Sequence, residues 1–256
     1  MQTYSGSTAL ITGASAGIGA EFARQLAARG ADLVLVARRK DRLDELADEI
    51  RAEHGVAVDV VPFDLGRPDA GRALREAVPQ HVHLLVNNAG FGSYGPFLAE
   101  EPARIDAMIQ LNVGALTELS RAFVPAMVEA GGGALLNVAS VAAYGPTPTM
   151  PVYGATKAYV LNFTEALAYQ LRNTGVRVLA FSPGATETEF FDVVGTREAG
   201  GGRWQTPAQV VSEALKALDG GAPSAVAGVG NRVLTSVARL FPRRVALSLA
   251  GRLTNA

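Results

Sequence analysis

The sequence predicts an α/β protein, a doubly wound parallel sheet of seven strands with helices on both faces. Three observations carry that reading. Short apolar runs alternate with longer segments of helical spacing along nearly the whole chain. The runs are continuous Val, Leu and Ala rather than alternating apolar and polar, the pattern of strands covered on both faces. A glycine-rich turn, Thr12 to Gly19, stands at the first strand-to-helix junction, on the side where such sheets take their ligands.

Thr8–Thr12 reads as a short buried strand, and Gly17 to Arg29 as the helix after it. Asp32–Ala37 is the second strand. Asp41–Glu53 carries Leu43, Leu46 and Ile50 at helical spacing. Val56–Val61 is the third strand, Asp69–Val78 a short helix, and Leu84–Val86 the fourth strand. One long helix is expected over Glu101–Ala130, ended by Gly131-Gly132-Gly133. Ala134–Ala139 is the fifth strand, Val152–Asn173 a helix, and Val176–Phe181 the sixth strand. Thr206-Pro207 opens a helix to Leu218 as N-cap and first-turn proline. Ser224–Ala227 is the last short strand. Without a linker, repeat or low-complexity tract, residues 1–256 read as one domain, with 220–256 a C-terminal extension packing on it or on a partner subunit.

Composition narrows the function. With 48% hydrophobic and 18% charged residues the chain suits a globular protein with a sizeable core. A net charge of −1 gives no overall electrostatic match to nucleic acid. The absence of cysteine excludes disulfides, iron–sulfur clusters and thiol catalysis, and fits a reducing compartment. His54, His81 and His83 lack metal-ligand spacing, so no metal is expected. His54 falls near a helix end, while His81 and His83 flank a strand start and are expected to be solvated. The first residues carry no basic region followed by an apolar run, and no stretch reaches the roughly 18 apolar residues of a membrane span. A cytoplasmic protein is the expectation.

Glycines at 13, 17 and 19 permit a tight turn and close backbone approach. The helix N-terminus beyond them offers unpaired N–H groups to a pyrophosphate, which makes the turn a dinucleotide site. Tyr153 and Lys157 stand four residues apart, on one face of a helix. A free tyrosine titrates near pH ~10, and a fixed positive charge nearby moves it towards the range where proton transfer is useful. The serine hydroxyl of Ser140, arriving from a separate strand end, would hold the reacting oxygen. These three side chains make a site for interconverting a carbonyl and an alcohol. Lys40, Lys157 and Lys216 are the only lysines among 23 basic residues, so a lysine at 157 marks a place for a compact ammonium. At the end of the second strand an acidic residue would bind the ribose hydroxyls of NAD and repel a 2′-phosphate. Here Ala37 is followed by Arg38, Arg39 and Lys40, which favours the phosphate of NADP, with Ser15 adding a hydroxyl. The alternative for that run is a solvated charge cluster at a helix start.

Thr12–Gly19, Asn87-Asn88-Ala89-Gly90, Ser140, Tyr153-x-x-x-Lys157 and Pro183-Gly184, in that order and spacing, resemble the short-chain dehydrogenase/reductase family from about residue 8 to residue 219. The resemblance implies a Rossmann-like fold and NADP(H) as cofactor. It implies Tyr153 as acid/base, Lys157 as the group that lowers the tyrosine pKa and binds the nicotinamide ribose, and Ser140 as donor to the substrate carbonyl. Asn112 matches the family's fourth catalytic position, holding a water behind the lysine; without the family it reads as a mid-helix polar residue. Gly13, Ser15, Ala16, Gly17, Ile18 and Gly19 would line the pyrophosphate. Arg38 and Arg39 would meet the 2′-phosphate, although many NADP-preferring relatives carry a basic residue where this chain has Ala16. Asp64 with the Leu65 backbone would meet the adenine, unless Asp64 is a turn residue ahead of Gly66 and Pro68. Asn87, Ala89 and Gly90 would line the adenosine ribose and sheet edge, and Pro183, Gly184, Thr186 and Thr188 would hold the carboxamide. Dimers or tetramers through the helices at about 101–130 and 152–173 are a further implication.

The substrate side is mostly apolar: Phe91, Tyr94, Phe97, Val141, Tyr144, Phe190, Phe191 and Trp204 fall on loops at strand C-terminal ends, where each could equally be packing. Gly200-Gly201-Gly202 beside Trp204 reads as a lid. A hydrophobic ketone or aldehyde, or the acyl end of a carrier-bound substrate, fits best. After Asp219 no acidic residue occurs, while Arg232, Arg239, Arg243, Arg244 and Arg252 interleave with apolar residues. That segment reads as amphipathic helices closing the pocket or packing on another subunit, or else as a basic surface for an acyl carrier, coenzyme A or anionic membrane lipid. The leading expectation is an NADPH-dependent carbonyl reductase, reversible as an alcohol dehydrogenase. The alternatives are a cofactor-binding regulator or redox sensor with little turnover, and a dehydratase or epimerase using bound cofactor.

Overall fold

Every strand pairs with its neighbours in parallel, in the order β3-β2-β1-β4-β5-β6-β7. The strands are β1 (Thr8–Thr12), β2 (Asp32–Ala37), β3 (Val58–Pro62), β4 (Leu84–Asn87), β5 (Gly133–Val138), β6 (Val176–Ser182) and β7 (Ser224–Val226). The helices are α1 (Gly17–Ala27), α2 (Lys40–His54), α3 (Ala70–Ala77), α4 (Pro102–Ile109), α5 (Leu116–Glu129), α6 (Pro151–Leu171), α7 (Phe190–Val194), α8 (Pro207–Asp219) and α9 (Val229–Ala238). This computed structural model describes residues 4–200 and 204–238, and beyond them 242, 244, 247, 248, 250 and 251. Gly201 and Gly202 of the expected lid, and Arg239, Arg243 and Arg252, lie outside the described residues. Among those described, no helix is long and apolar enough to cross a membrane.

Successive strand residues enter opposite cores, which is why the strands read as unbroken apolar runs. Ala9, Ile11, Leu33 and Leu35 pack with Phe22 and Leu26 of α1, Leu43 and Ile50 of α2, and Val210 and Leu215 of α8. Leu10, Val34, Val36 and Leu85 face the other way, onto Leu74 of α3 and Leu119, Phe123 and Met127 of α5. The sheet order reverses between β1 and β4, so the chain diverges to opposite faces there and leaves a crevice at the strand C-terminal ends.

Three local expectations change. The third strand starts at Val58, not Val56: Gly55 closes α2 at φ 67, and Ala57 donates its N–H to Asp32 Oδ1 before the ladder begins. His83 is not merely solvated; its Nδ1 accepts the Thr8 N–H at 3.0 Å and its ring meets His81 edge-on. Burial holds its pKa below the usual value, so the neutral ring is the acceptor. The helix expected over Glu101–Ala130 contains a wide π-helical segment, Gln110–Ala115, between α4 and α5. An extra residue in the turn rotates one side chain out of the helical pattern, and here it turns Asn112 inward.

Helices α3 and α5 touch at a glycine. A Cβ on Gly71 would stand 2.5 Å from the main-chain carbon and oxygen of Glu118. The Gly71 N–H donates to Glu118 Oε2 at 3.1 Å across the same contact. Gly71→Ala gains about 1 kcal/mol of helix propensity, but overpacking against backbone costs about 1–3 kcal/mol and wins. The expected outcome is a urea midpoint lowered by an amount equivalent to about 1–2 kcal/mol at unchanged m-value; a midpoint equal to or above wild type would contradict this packing.

Candidate active site

The C-terminal ends of β1, β4, β5 and β6 enclose a cleft of about 590 Å³. Its floor is fixed by Thr12, whose hydroxyl donates to the Val86 carbonyl at 3.2 Å and accepts the N–H groups of Asn88 and Ala89 at 2.9 and 3.1 Å. The Asn88 amide donates to the Thr12 and Gly13 carbonyls. Gly13 turns at φ 66, and a Cβ on Gly19 would collide with the Gly13 carbonyl, so the turn lies flat on the start of α1. The α1 N-cap, Ala16, offers no side-chain bond to the first turn, and that turn contains no acid. Its leading N–H groups, at Gly17 and Ile18 on the cleft wall, are therefore available to an anion.

Arg39 is the basic residue on this wall. Its Nε and Nη2 donate to Ser15 Oγ at 3.3 and 3.1 Å, and its Nη1 pairs with Glu189 Oε2 at 2.9 Å. Arg42, which sequence reasoning passed over, pairs with the other Glu189 oxygen at 2.9 Å. Arg38 is exposed and stands off the wall. Asp64 Oδ1 accepts the Gly66 N–H at 2.9 Å, making the residue part of a turn, and Leu65 is buried in the core below. Asn87 turns its side chain inward, donating to Asn137 Oδ1 at 2.9 Å and Ser120 Oγ at 3.3 Å. Its neighbours Asn88, Ala89 and Gly90 form the cleft wall instead.

The proton-transfer residues converge in the middle of the cleft. Ser140 caps the short 3-10 turn after β5; its Oγ accepts the Ala142 N–H at 3.1 Å, which leaves its own proton to donate. Tyr153 and Lys157 rise from the first turns of α6, both buried. Burial pushes the Tyr153 phenol up to about 12, against a hydrogen bond with Ser140 that pulls it down. Burial alone brings the Lys157 ammonium down to about 8. Its Nζ donates to the Val138 carbonyl at 2.8 Å and lies 5.8 Å from the centre of the tyrosine ring. The net shift of the tyrosine is upward rather than downward: desolvation dominates, and both groups are held towards their neutral forms.

Asn112 is 1% exposed. Its amide nitrogen donates to the Phe91 carbonyl at 2.9 Å and to Thr156 Oγ1 at 3.1 Å, and its oxygen accepts the Phe91 N–H at 3.1 Å. Thr156 Oγ1 in turn donates to the Tyr153 carbonyl at 2.7 Å. Asn112 therefore clamps the segment after β4 to the helix that carries Tyr153. A Cβ on Gly90 would stand 2.9 Å from Asn112 Oδ1 and 3.5 Å from Lys157 Nζ, so only glycine leaves that corner open.

Beyond Tyr153 the cleft is apolar. Phe91, Val141, Tyr144, Phe190 and Phe191 line it, joined by Met150 and by Leu234 and Val237 of α9. Phe190 stands 5.4 Å from the Tyr153 ring. Tyr94 packs behind the wall, Phe97 is largely exposed, and Trp204 stacks on Phe191 at 4.4 Å from outside. Pro183, Gly184, Thr186 and Thr188 form the edge between the two halves.

The family model described as short chain dehydrogenase matches residues 7–199. A short chain dehydrogenase of Pseudocercospora fijiensis is 39% identical over 190 residues, 72% of this chain and 61% of that protein. The structure of a short-chain dehydrogenase from Sphingobium yanoikuyae in complex with NADPH superposes with a TM-score of 0.83 at 37% identity, covering 94% of this chain and 95% of the other. That of the bulky-bulky ketone specific alcohol dehydrogenase from Comamonas testosteroni gives 0.79 at 33% identity, covering 91% and 92%. With that match over most of its length and its seven parallel strands in this order, the chain belongs to the short-chain dehydrogenase family of NAD(P)-dependent oxidoreductases.

Proposed function

We propose that the protein reduces an apolar or acyl-type ketone or aldehyde to the alcohol with NADPH, reversibly. The observation that carries the reading is the meeting of Ser140, Tyr153 and Lys157 between an anion-ready turn and an apolar pocket. The uncapped α1 N-terminus, the Gly13–Gly19 contact and the Arg39–Ser15 pair fit a dinucleotide with a phosphorylated ribose. When bound, NADPH would supply the hydride for the carbonyl carbon. Ser140 donates to the carbonyl oxygen and stabilises the charge growing there. Tyr153, protonated across the physiological range, gives that oxygen its proton. Lys157 stabilises the phenolate left behind, and Asn112 holds Tyr153 and the Gly90 corner in register. Asn112 spends its side chain on protein partners, so a relay water behind the lysine would rest on main-chain groups of the wide helical turn.

The C-terminal half of the cleft supports the apolar substrate class, because Leu234 and Val237 of α9 line its rim without a charge. Self-association through α5 and α6 belongs to the same proposal: Tyr159 and Phe163 stack there, with Tyr159 hydrogen-bonded to Thr117 at 3.1 Å on a partly exposed face. A carrier or lipid contact has less support, since of the two described arginines of that segment, both exposed, Arg232 is already paired with Glu213 at 2.7 Å.

A carbonyl panel followed by NADPH absorbance tests the reaction. Tyr153→Phe is expected to lower kcat by about 10²–10⁴-fold, with NADPH affinity kept within about threefold of wild type; unchanged turnover would overturn the mechanism. The wild type is expected to prefer NADPH over NADH by at least about tenfold in kcat/KM, and Arg39→Ala to remove most of that preference through KM for NADPH. Equal use of both cofactors by the wild type would refute it. In pH–rate profiles, carbonyl reduction should be level at neutral pH and fall above about 8 as Lys157 loses its proton, while Tyr153, near 12, stays protonated. Alcohol oxidation, which needs the phenolate, should rise over the same range. A reduction profile without a falling limb between about pH 7 and 10 would show that the lysine charge is not used.

A further inference from the structure

Glu189 ends the loop after β6 and caps the start of α7. Its two carboxylate oxygens are divided between two arginines of the opposite wall, Arg39 and Arg42, each at 2.9 Å. The contact crosses the mouth of the cofactor cleft and joins residues 150 and 147 positions apart in sequence. Thr188, next in line, lies where a Cβ on Gly17 would stand, with its methyl 2.9 Å from that point. The far end of α7 is anchored separately: Arg104 donates to the Val193 carbonyl at 2.9 Å. Between the two anchors, α7 presents Phe190 and Phe191 to the substrate pocket.

We propose that Glu189 is a specificity-determining latch: it occupies one donor of Arg39, Nη1, and one of Arg42 beside the place where the cofactor's 2′-phosphate would meet Arg39 and Ser15, so that phosphate binding releases the N-terminal end of α7. This rests on the NADP reading given above. Three physical points support it. A carboxylate and a phosphate are alternative acceptors for the same guanidinium N–H groups, and the phosphate carries more charge and more acceptor oxygens. The Arg39 and Glu189 side chains are 45% and 42% exposed, the regime in which an ion pair is worth little and exchanges readily. Two guanidinium groups face one carboxylate, so the cluster keeps a net positive charge that draws an anion towards it. The Arg39 hydrogen bond also holds the Glu189 carboxyl below its ordinary range, so the latch is ionised at neutral pH.

The chain contains a single tryptophan, Trp204, and its ring stands 4.4 Å from Phe191 of α7. Its fluorescence therefore reads the position of α7 without any turnover. Titration of the full-length protein with adenosine 2′,5′-bisphosphate and, separately, with AMP tests the latch, with calorimetry giving the affinities. In the wild type the bisphosphate is expected to bind at least about tenfold more tightly than AMP and to change Trp204 emission, whereas AMP leaves it unchanged. Glu189→Gln and Glu189→Ala are expected to tighten the bisphosphate about fivefold or more while AMP affinity stays within about twofold. Their unliganded emission should already match the bisphosphate-bound wild type. If both substitutions leave bisphosphate affinity and emission as in the wild type while Arg39→Ala weakens the bisphosphate, the phosphate site stands and the latch is wrong. If bisphosphate and AMP bind alike in the wild type, and Arg39→Ala changes neither, the NADP reading falls and the latch with it.

Discussion

A lysine ammonium that is 5% exposed and donates to one main-chain carbonyl oxygen is the constraint around which the site is arranged. Removing an ammonium from water costs several kcal/mol, and a single neutral acceptor does not recover it. The surroundings show how Lys157 is accommodated. The Val138 carbonyl at the end of β5 meets its Nζ, Gly90 keeps Cβ atoms away from it, and Asn112 closes the corner behind it. What cost remains appears as a pKa brought down to about 8. Tyr153 is its mirror image, a neutral acid held neutral by the same dry environment. Neither shift alone makes a good catalyst, but the pair is coupled. When the phenol gives up its proton, the negative charge forms beside an ammonium with few competing partners, and the two desolvation costs offset each other only in that state. Stability given up in the resting protein thus becomes stabilisation of the reacting one.

Much of this was legible in the sequence, because the features involved are local. Continuous Val/Leu/Ala runs announce two-faced strands, and all seven were found within two residues of their ends. The glycine turn, Ser140 and the Tyr153/Lys157 pair are short-range patterns whose spacing alone places them on a turn, a strand end and a helix face. What stayed hidden depends on contacts across the fold. The apolar periodicity of residues 101–130 runs unbroken through the π-helical segment, since one wide turn hardly alters which residues face the core. Only the Asn112–Phe91 hydrogen bonds, 21 residues apart, show that the helix is opened there. The choice between Asn87 and Asn88 was decidable in principle. Asn87 is the last strand residue, paired in register with Asn137, so its side chain belongs to a sheet face, whereas Asn88 lies past the ladder. That Arg39 lines the cleft and bonds Ser15, with Arg38 exposed beside it, is a matter of rotation at the start of α2, and no run of three basic residues encodes it.

The cleft divides by physical character along its length. At one end, charge and main-chain N–H groups converge on Ser15, Arg39 and the first turn of α1; at the other, Phe190 and Met150 make an apolar wall, with Leu234 and Val237 at its exposed rim. Binding at the first end is electrostatic and falls with salt, while binding at the second follows buried apolar area. Helix α7 belongs to both ends at once. Its cap residue Glu189 faces the arginines, and the next two residues, Phe190 and Phe191, face the pocket. A five-residue helix is too short to bend, so a change at its cap is carried to the aromatic rings as a rigid movement. Leu234 and Val237 of α9 line the same cleft from a segment separate from the turn after β5 and the helix α6, which carry Ser140, Tyr153 and Lys157. That separation would let one proton-transfer centre serve differently shaped pockets.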